Sequence, residues 1–391
     1  MTDATTPARA SGPDLAGLTN VAAWLDAPFA DLTVRPAPVT APGPHELLVR
    51  ARAVAVNPVD VVKQTTGDLM YRWLPAPAVL GEDVAGDVVA VGSAVTRFAV
   101  GDRVVALAVG VEKGEEHAPG GGFQQLVLVR EALAAPVPEG TALEEAVVLP
   151  LAVSTAASAL FQGGQLGLRH PVGARPAPTG GAREVVVVWG GTTSVGSAAI
   201  QLAVAAGYDV VATASPANHD RLRALGASQL LDYRDAGVVD DVVAALRGRR
   251  VAGVLAIGTG SADPCVTIAA RTGAPRVSMA SPSVSFSGVP RRPGLSLGLV
   301  RTVVALGSRT AAVMVRSRLR GVRATFVWGS SLMHDEVGPM LWAGYLPAAL
   351  AEGRFVPAPR AEVVGHGLEH VQAALDRLGE GVSATKLVVT L

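Results

Sequence analysis

Gly190, Gly191 and Gly196 follow an unbroken apolar run, Val185–Trp189, with Thr192, Thr193, Ser194 and Val195 set among them. A buried strand that turns through glycines into a helix presents the helix's free N–H groups and dipole to an anion. The missing side chains also let a phosphate come close to the backbone. A tight strand–helix corner uses glycines in the same way, so the turn takes its meaning from the strand and helix signals around it. The next strand lies in YDVVATAS and ends at Ser215, where a site for an unphosphorylated ribose carries Asp or Glu. Pro216, Ala217, Asn218 and His219 follow, with Arg221 close by. Hydroxyl, amide and cationic groups receive a 2′-phosphate that a carboxylate would repel, so the expected cofactor is NADPH. Ser215 is equally fitted to cap the helix that follows, and the two roles are compatible.

Such a turn needs a sheet to hold it. Strand signals at 185–189, 208–214, 229–232, 252–257 and 275–279 alternate with helix signals at 195–206, 216–226 and 237–247. That alternation predicts an α/β fold with a doubly wound parallel sheet of the Rossmann type. Upstream, ELLVRARAVAVNP, DVAGDVVAVGSAV, GDRVVALAVG and FQQLVLVR are short β-rich pieces separated by turn residues. Their spacing predicts a compact antiparallel barrel-like domain before residue 150. LAVSTAASALFQ reads as a helix, and the Pro/Gly-rich stretch after it, to Arg183, as a loop. Residues 281–320 break the rhythm with SPSVSFSGVPRRPG and an arginine-studded apolar helix, before VRATFVWG restores it. The amphipathic helix LEHVQAALDRLGEG and the strand KLVVTL close the chain. A terminal helix–strand pair can rejoin the first domain. The expected division is a disordered tail at 1–16, a catalytic domain of 17–152 plus 335–391, and a nucleotide-binding domain of 153–334.

Composition removes several alternatives. Lysine plus arginine and aspartate plus glutamate are 33 each in 391 residues, which is not the charge footprint of a nucleic-acid binder. With Cys265 alone, no disulfide within the chain and no multi-cysteine zinc site can form. The first residues, MTDATTPARASGPD, have no apolar core and are not expected to be a signal peptide. The longest apolar stretch, 297–315, is interrupted by Arg301 and Arg309, so no membrane span and a cytoplasmic location are expected.

In order along the chain stand AVNPVD (55–60), GEDVAGDVVAVGSAV (81–95), FAVGDRVVA (98–106), GGFQQLVLV (121–129), LPLAVSTAASAL (149–160) and WGGTTSVG (189–196). Together they resemble the medium-chain dehydrogenase/reductase superfamily, in its zinc-free quinone oxidoreductase and enoyl reductase branch. Ser215–Asn218 and the segment from FVWGSSLMHDEVGPM to the C-terminus are similar to a subgroup containing the trans-acting enoyl reductases of fungal polyketide pathways. The resemblance implies a GroES-like catalytic domain beside the Rossmann domain. It implies that Asn57, Pro58 and Asp60 shape a loop beside the nicotinamide and that Thr155 touches the nicotinamide or its ribose. Thr192, Thr193 and Val195 would line the pyrophosphate, and Ser215, Asn218 and Tyr233 the adenine-ribose phosphate. Ile257 and Lys386 complete the expected cofactor shell. Quinone reductases commonly carry a lysine near the position of His219, and the subgroup often has one where this chain has Val62. Zinc-dependent relatives have Gly-His-Glu where this chain has Gly81-Glu82-Asp83. Without that histidine or cysteine ligands a catalytic zinc is not expected, and Asp83 is expected to be a structural carboxylate.

Metal-free hydride transfer suits a C=C bond conjugated to a carbonyl, because the arriving charge spreads onto an enolate oxygen that hydrogen-bond donors can stabilise. Tyr71 is the candidate proton donor, in the loop where related mitochondrial enoyl reductases carry a tyrosine. An aromatic packing the cleft wall with Trp73 is the alternative. Lys63 is a candidate to hold a carboxylate or thioester oxygen, or else an exposed solubilising lysine, and His117 and His334 are expected at the surface. Arg301, Arg309, Arg316, Arg318, Arg320 and Arg323 suit an acidic acyl-carrier partner, or form the solvated face of an amphipathic helix. The substrate expected is a small enone, enoyl compound or quinone, turned over by a monomer or homodimer. A detoxifying quinone reductase and a non-catalytic nucleotide-binding scaffold are the competing readings.

Overall fold

The computed structural model describes residues 15–171, 184–281, 291 and 297–391. Nearly all of the expected disordered tail lies outside these residues, as do parts of the Pro/Gly-rich loop and of the 281–320 break.

The nucleotide-binding half is built on a six-stranded parallel sheet. Its spatial order is Gln229–Leu231, Asp209–Thr213, Val185–Trp189, Val251–Ala256, Arg276–Met279 and Arg323–Phe326. Val185, Val186, Val187 and Val188 are wholly buried, as a central parallel strand covered by helices on both faces must be. The predicted strands are found to within a residue or two at each end. The predicted helix 216–226 divides into a 3₁₀ turn, Pro216–Asn218, and the helix His219–Ala224. The helix Ala262–Thr272 escapes the sequence reading because its polar residues blur the apolar period.

The other half centres on a seven-stranded sheet. Six strands run in the order Arg360–His366, Thr385–Thr390, Glu46–Ala55, Asp83–Val91, Arg103–Leu107 and Ala134–Pro136, and Leu126–Arg130 pairs with Glu46–Arg50. The C-terminal strand lies antiparallel to the first half, with Val388 opposite Ala55 and Val389 opposite Val54. The last strand is therefore sequestered from the parallel sheet.

One apolar cluster runs through both halves and includes Val105, Val153, Leu160, Val186, Ile200, Trp342 and Val388. The expected boundary at 152–153 falls inside the helix Pro150–Phe161, in which every residue but Leu151 is buried. That helix is packing material for both halves.

The arginine series lies on the helix Leu297–Leu319 and just beyond it. Arg316 pairs with Asp263, and Arg320 donates to Thr267 Oγ1 at 2.8 Å. Val304 and Leu319 are exposed on the same helix. By length and mean hydropathy alone Gly298–Leu319 is long and apolar enough to cross a membrane. Leu143–Phe161 meets the same criterion, but most of it is buried inside the protein.

Candidate functional site

The glycine turn is held by close backbone packing. Gly190 has φ +88°, and a Cβ there would sit 2.8 Å from the Ile257 carbonyl oxygen. A Cβ on Gly196 would lie 2.2 Å from the Gly190 oxygen and 2.8 Å from Gly191 Cα, so only glycine lets the helix Ser194–Ala205 close against the turn. Thr193 closes it chemically. Its hydroxyl donates to the Gly190 oxygen at 2.8 Å and accepts from the Gly196 amide at 2.9 Å, capping the helix. Thr193 is thus committed to the turn itself, while Thr192, Ser194 and Val195 stay partly exposed at its mouth. The first helical N–H groups, at Ser194 and Val195, precede any intrahelical acceptor, the arrangement that lets a helix N-terminus take an anion. Ile257 meets the turn through its backbone carbonyl.

At the end of the second strand Ser215 makes no side-chain cap. Its hydroxyl instead accepts from Asn218 Nδ2 at 2.9 Å, so the two residues form one polar unit. His219 Nε2 lies 3.0 Å from the Ala214 carbonyl oxygen. Arg221, a candidate phosphate partner in the sequence, donates instead to the Ala384 oxygen at 2.8 Å and ties the domains together. The exposed Tyr233 carries the Arg234 guanidinium over its ring, 5.4 Å from the centroid. Arg234 is a cation the sequence reading passed over. Only its place directly after Tyr233 signalled it.

A buried polar network ties the first half, through the AVNPVD loop and Asp83, to the helix Pro150–Phe161 and the C-terminal strand. Asp83 accepts from Asn57 Nδ2 at 2.6 Å, from the Leu151 amide at 2.7 Å and from Lys386 Nζ at 2.5 Å. Asp60 in turn accepts from the Asn57 amide at 2.7 Å. The AVNPVD loop is thereby fixed to the start of the helix Pro150–Phe161, one turn before Thr155. Lys386 requires a correction. It was expected in the cofactor shell, but its ammonium is 3% exposed and is spent on Asp83 and the Val148 carbonyl. A buried carboxylate demands a cation at contact distance, and the C-terminal strand supplies it.

Lys63 also departs from expectation. It is 2% exposed, and its three donors go to Asp68, the Tyr71 oxygen at 2.8 Å and the Leu74 oxygen at 2.7 Å. Neither the substrate-holding nor the exposed role fits. Lys63 staples the loop that carries Tyr71. The Tyr71 ring packs against Trp73 at 5.1 Å and Trp328 at 6.2 Å between centroids, while its hydroxyl is buried with no partner. Burial, with the Glu82, Glu112 and Asp60 charges nearby, pushes the phenol well above its usual pKa. The packing and donor readings of Tyr71 are therefore compatible.

Thr155 faces Gly329 so closely that a Cβ on the glycine would lie 2.2 Å from its hydroxyl oxygen. Beside it, Glu112 accepts from Trp328 Nε1 at 3.0 Å and from the Ser330 hydroxyl at 2.6 Å, a contact from the first half to the second. The sequence offered FVWGSS as a motif but no sign that Glu112 meets it. His117, half-buried, puts Nδ1 2.7 Å from the Gly110 oxygen, whereas His334 is exposed at the surface, as expected.

Zinc does not fit the place where zinc-dependent relatives hold it. Asp83 already carries the Lys386 ammonium, and among the described residues no three His, Cys, Asp or Glu side chains converge as a metal site.

Residues 43–139 match the alcohol dehydrogenase GroES-like domain. Over 375 residues the chain is 42% identical to the dehydrogenase pigH of Monascus ruber, covering 95% of this chain and 100% of that protein. It is 39% identical over 383 residues to the trans-enoyl reductase himH of Aspergillus japonicus, covering 96% and 99%. An alcohol dehydrogenase superfamily protein from Novosphingobium aromaticivorans has the same fold, with a TM-score of 0.68 at 24% identity, covering 95% of this chain and 100% of that one.

Proposed function

The chain belongs to the medium-chain dehydrogenase/reductase superfamily, oxidoreductases that use nicotinamide cofactors, and from that premise we propose that it is an NADPH-dependent, metal-free reductase of C=C bonds conjugated to a carbonyl. The observation that carries the reading is the Tyr71 hydroxyl, buried and unpartnered in an aromatic wall beside Asp60. A buried hydroxyl without a partner costs roughly 1–3 kcal/mol, and a substrate group that accepts its proton relieves that cost. The cradle at Gly190–Gly196 fits a dinucleotide pyrophosphate, and the bound cofactor supplies the hydride. Ser194 and Val195 present their N–H groups to the phosphate, and Thr192 lines the same mouth. Ser215, Asn218, His219 and Arg234 receive the 2′-phosphate. Thr155 and Asn57, fixed through Asp83, bound the reacting end and orient it. Tyr71 holds a proton at its phenolic oxygen for the carbon that becomes carbanionic.

The test is oxidation of NADPH and of NADH with a panel of enoyl thioesters, cyclic enones and quinones. Turnover of enones or enoyl thioesters with NADPH is expected. Turnover of quinones alone would replace this reading with the quinone reductase. Tight NADPH binding without any turnover would replace it with the scaffold.

A further inference from the structure

Three buried side-chain oxygens at the cleft have no hydrogen-bond partner: Tyr71 OH, Asp60 Oδ1 and Glu82 Oε2. Their residues are 4%, 3% and 2% exposed. Tyr71 and Asp60 line one cavity of about 10 Å³ together with Val59, Lys63, Leu74, Leu80 and Val111. That volume has room for about one water. Glu82 lies next to this cavity in the chain, two residues after Leu80, and its charge is the strongest single one acting on Tyr71. Asp60 in turn is the strongest charge acting on Glu82.

Charge counting decides the state of this cluster. Asp60, Glu82 and Asp83 are three buried carboxyls, with Glu112 also within electrostatic reach of Glu82. The cations are two: Lys386, bonded to Asp83, and Lys63, bonded to Asp68 and two carbonyls. Asp60 and Glu82 are left without a bonded cation. Two buried carboxyls within electrostatic reach of each other and without a bonded cation resist being charged together. Burial pushes Glu82 well above the carboxylate range, and burial with the nearby Asp83 charge pushes Asp60 up to about 7. The pair therefore retains a proton near neutral pH.

We propose that the Asp60–Glu82 pair is the proton store of the cleft and reloads the Tyr71 hydroxyl through the cavity that Tyr71 and Asp60 line. The inference rests on Tyr71 as donor in the proposed reduction. A bound reduced nicotinamide would supply the hydride that forms the C–H bond at the β-carbon, leaving the C=C electron pair on the α-carbon and carbonyl. The O–H bond of Tyr71 breaks as its proton joins the α-carbon. The phenolate then takes the proton held by the Asp60–Glu82 pair, which becomes doubly charged. Water entering after product release restores the store. The sum consumes one hydride and one solvent proton per C=C bond.

The test uses the full chain with Glu82→Gln, Asp60→Asn, Tyr71→Phe and the double variant Tyr71→Phe/Glu82→Gln. Infrared spectra at neutral pH read the store without substrate. The protonated-carboxyl band of the wild type should weaken in Glu82→Gln or in Asp60→Asn. A spectrum unchanged in both overturns the proposal, whatever the fate of the enone reductase reading. With a cyclic enone and NADPH, kcat should fall about 10-fold in either variant with KM nearly unchanged. The wild-type fall in kcat as pH rises past about 7 should disappear in Asp60→Asn. Glu82→Asp, which keeps an acid, should recover part of the rate. In the Tyr71→Phe background Glu82→Gln should cost nothing further. An equal loss with and without Tyr71, or the same pH profile in all variants, would refute the relay.

Discussion

Replacing Lys386 with methionine removes one charge from the junction and keeps the volume of its stem. Asp83 is wholly buried, and without Lys386 its carboxylate keeps only the Asn57 amide group at 2.6 Å and the Leu151 N–H at 2.7 Å. Stranding one member of a buried ion pair costs about 3–5 kcal/mol. The two remaining donors put this case at the low end, about 3 kcal/mol, a large share of the roughly 5–15 kcal/mol that holds a folded chain. For a protein of this length that is a fall in Tm of about 4 °C. Asp83→Asn strands the ammonium instead and should cost a similar amount. Asp83→Asn/Lys386→Met should be less destabilised than the sum of the single variants by about 2 kcal/mol, the coupling expected of groups in contact. The assay is thermal unfolding followed by circular dichroism, with NADPH binding measured in parallel. Loosening Asp83 releases both the Asn57 loop and the start of the Thr155 helix, so affinity for the cofactor should also fall. A loss below about 1 kcal/mol for Lys386→Met, or strict additivity in the double variant, would refute the buried-pair argument.

Four other outcomes are expected. Ser215→Asp should lower the ratio of kcat/KM for NADPH over NADH by about 10-fold or more, equivalent to roughly 1.4 kcal/mol of charge repulsion; an unchanged ratio would reduce Ser215 to a partner of Asn218. Gly196→Ala forces a Cβ to 2.2 Å from the Gly190 oxygen, so it should weaken NADPH binding in a fluorescence titration and cost about 1–3 kcal/mol of stability. Wild-type affinity in that variant would show that the turn does not bind the pyrophosphate. Tyr71→Phe should lower kcat by at most about 10²-fold, because water can protonate an enolate; complete loss with NADPH binding intact would make Tyr71 obligatory. Treatment with a chelator should leave the rate unchanged, and inhibition reversed by added zinc would overturn the metal-free mechanism.

Patterns of local origin were legible in the sequence. The valine run, the glycine turn and the helix after it are set by backbone sterics and burial within a span of some twenty residues, and they stand where the sequence put them. The alternation of strands with helices fixed the parallel sheet, and the terminal strand's return followed from a helix–strand pair left over after that sheet was complete. What the sequence left open is long-range. Lys63 finds Asp68, Tyr71 and Leu74 close by in the chain, but only the fold of that loop buries its ammonium among them, and nothing near Lys386 in the chain is its partner. Lys386 meets Asp83 only because the C-terminal strand pairs with Glu46–Ala55 and delivers its ammonium under the Asn57 loop. Glu112 meets Trp328 and Ser330 across more than two hundred residues. The crowding of Asp60, Glu82 and Tyr71 into a dry site is likewise a product of packing. Motif spacing chose the groups; tertiary burial decided which of them keep their charge, which are spent on structure, and which still lack a partner.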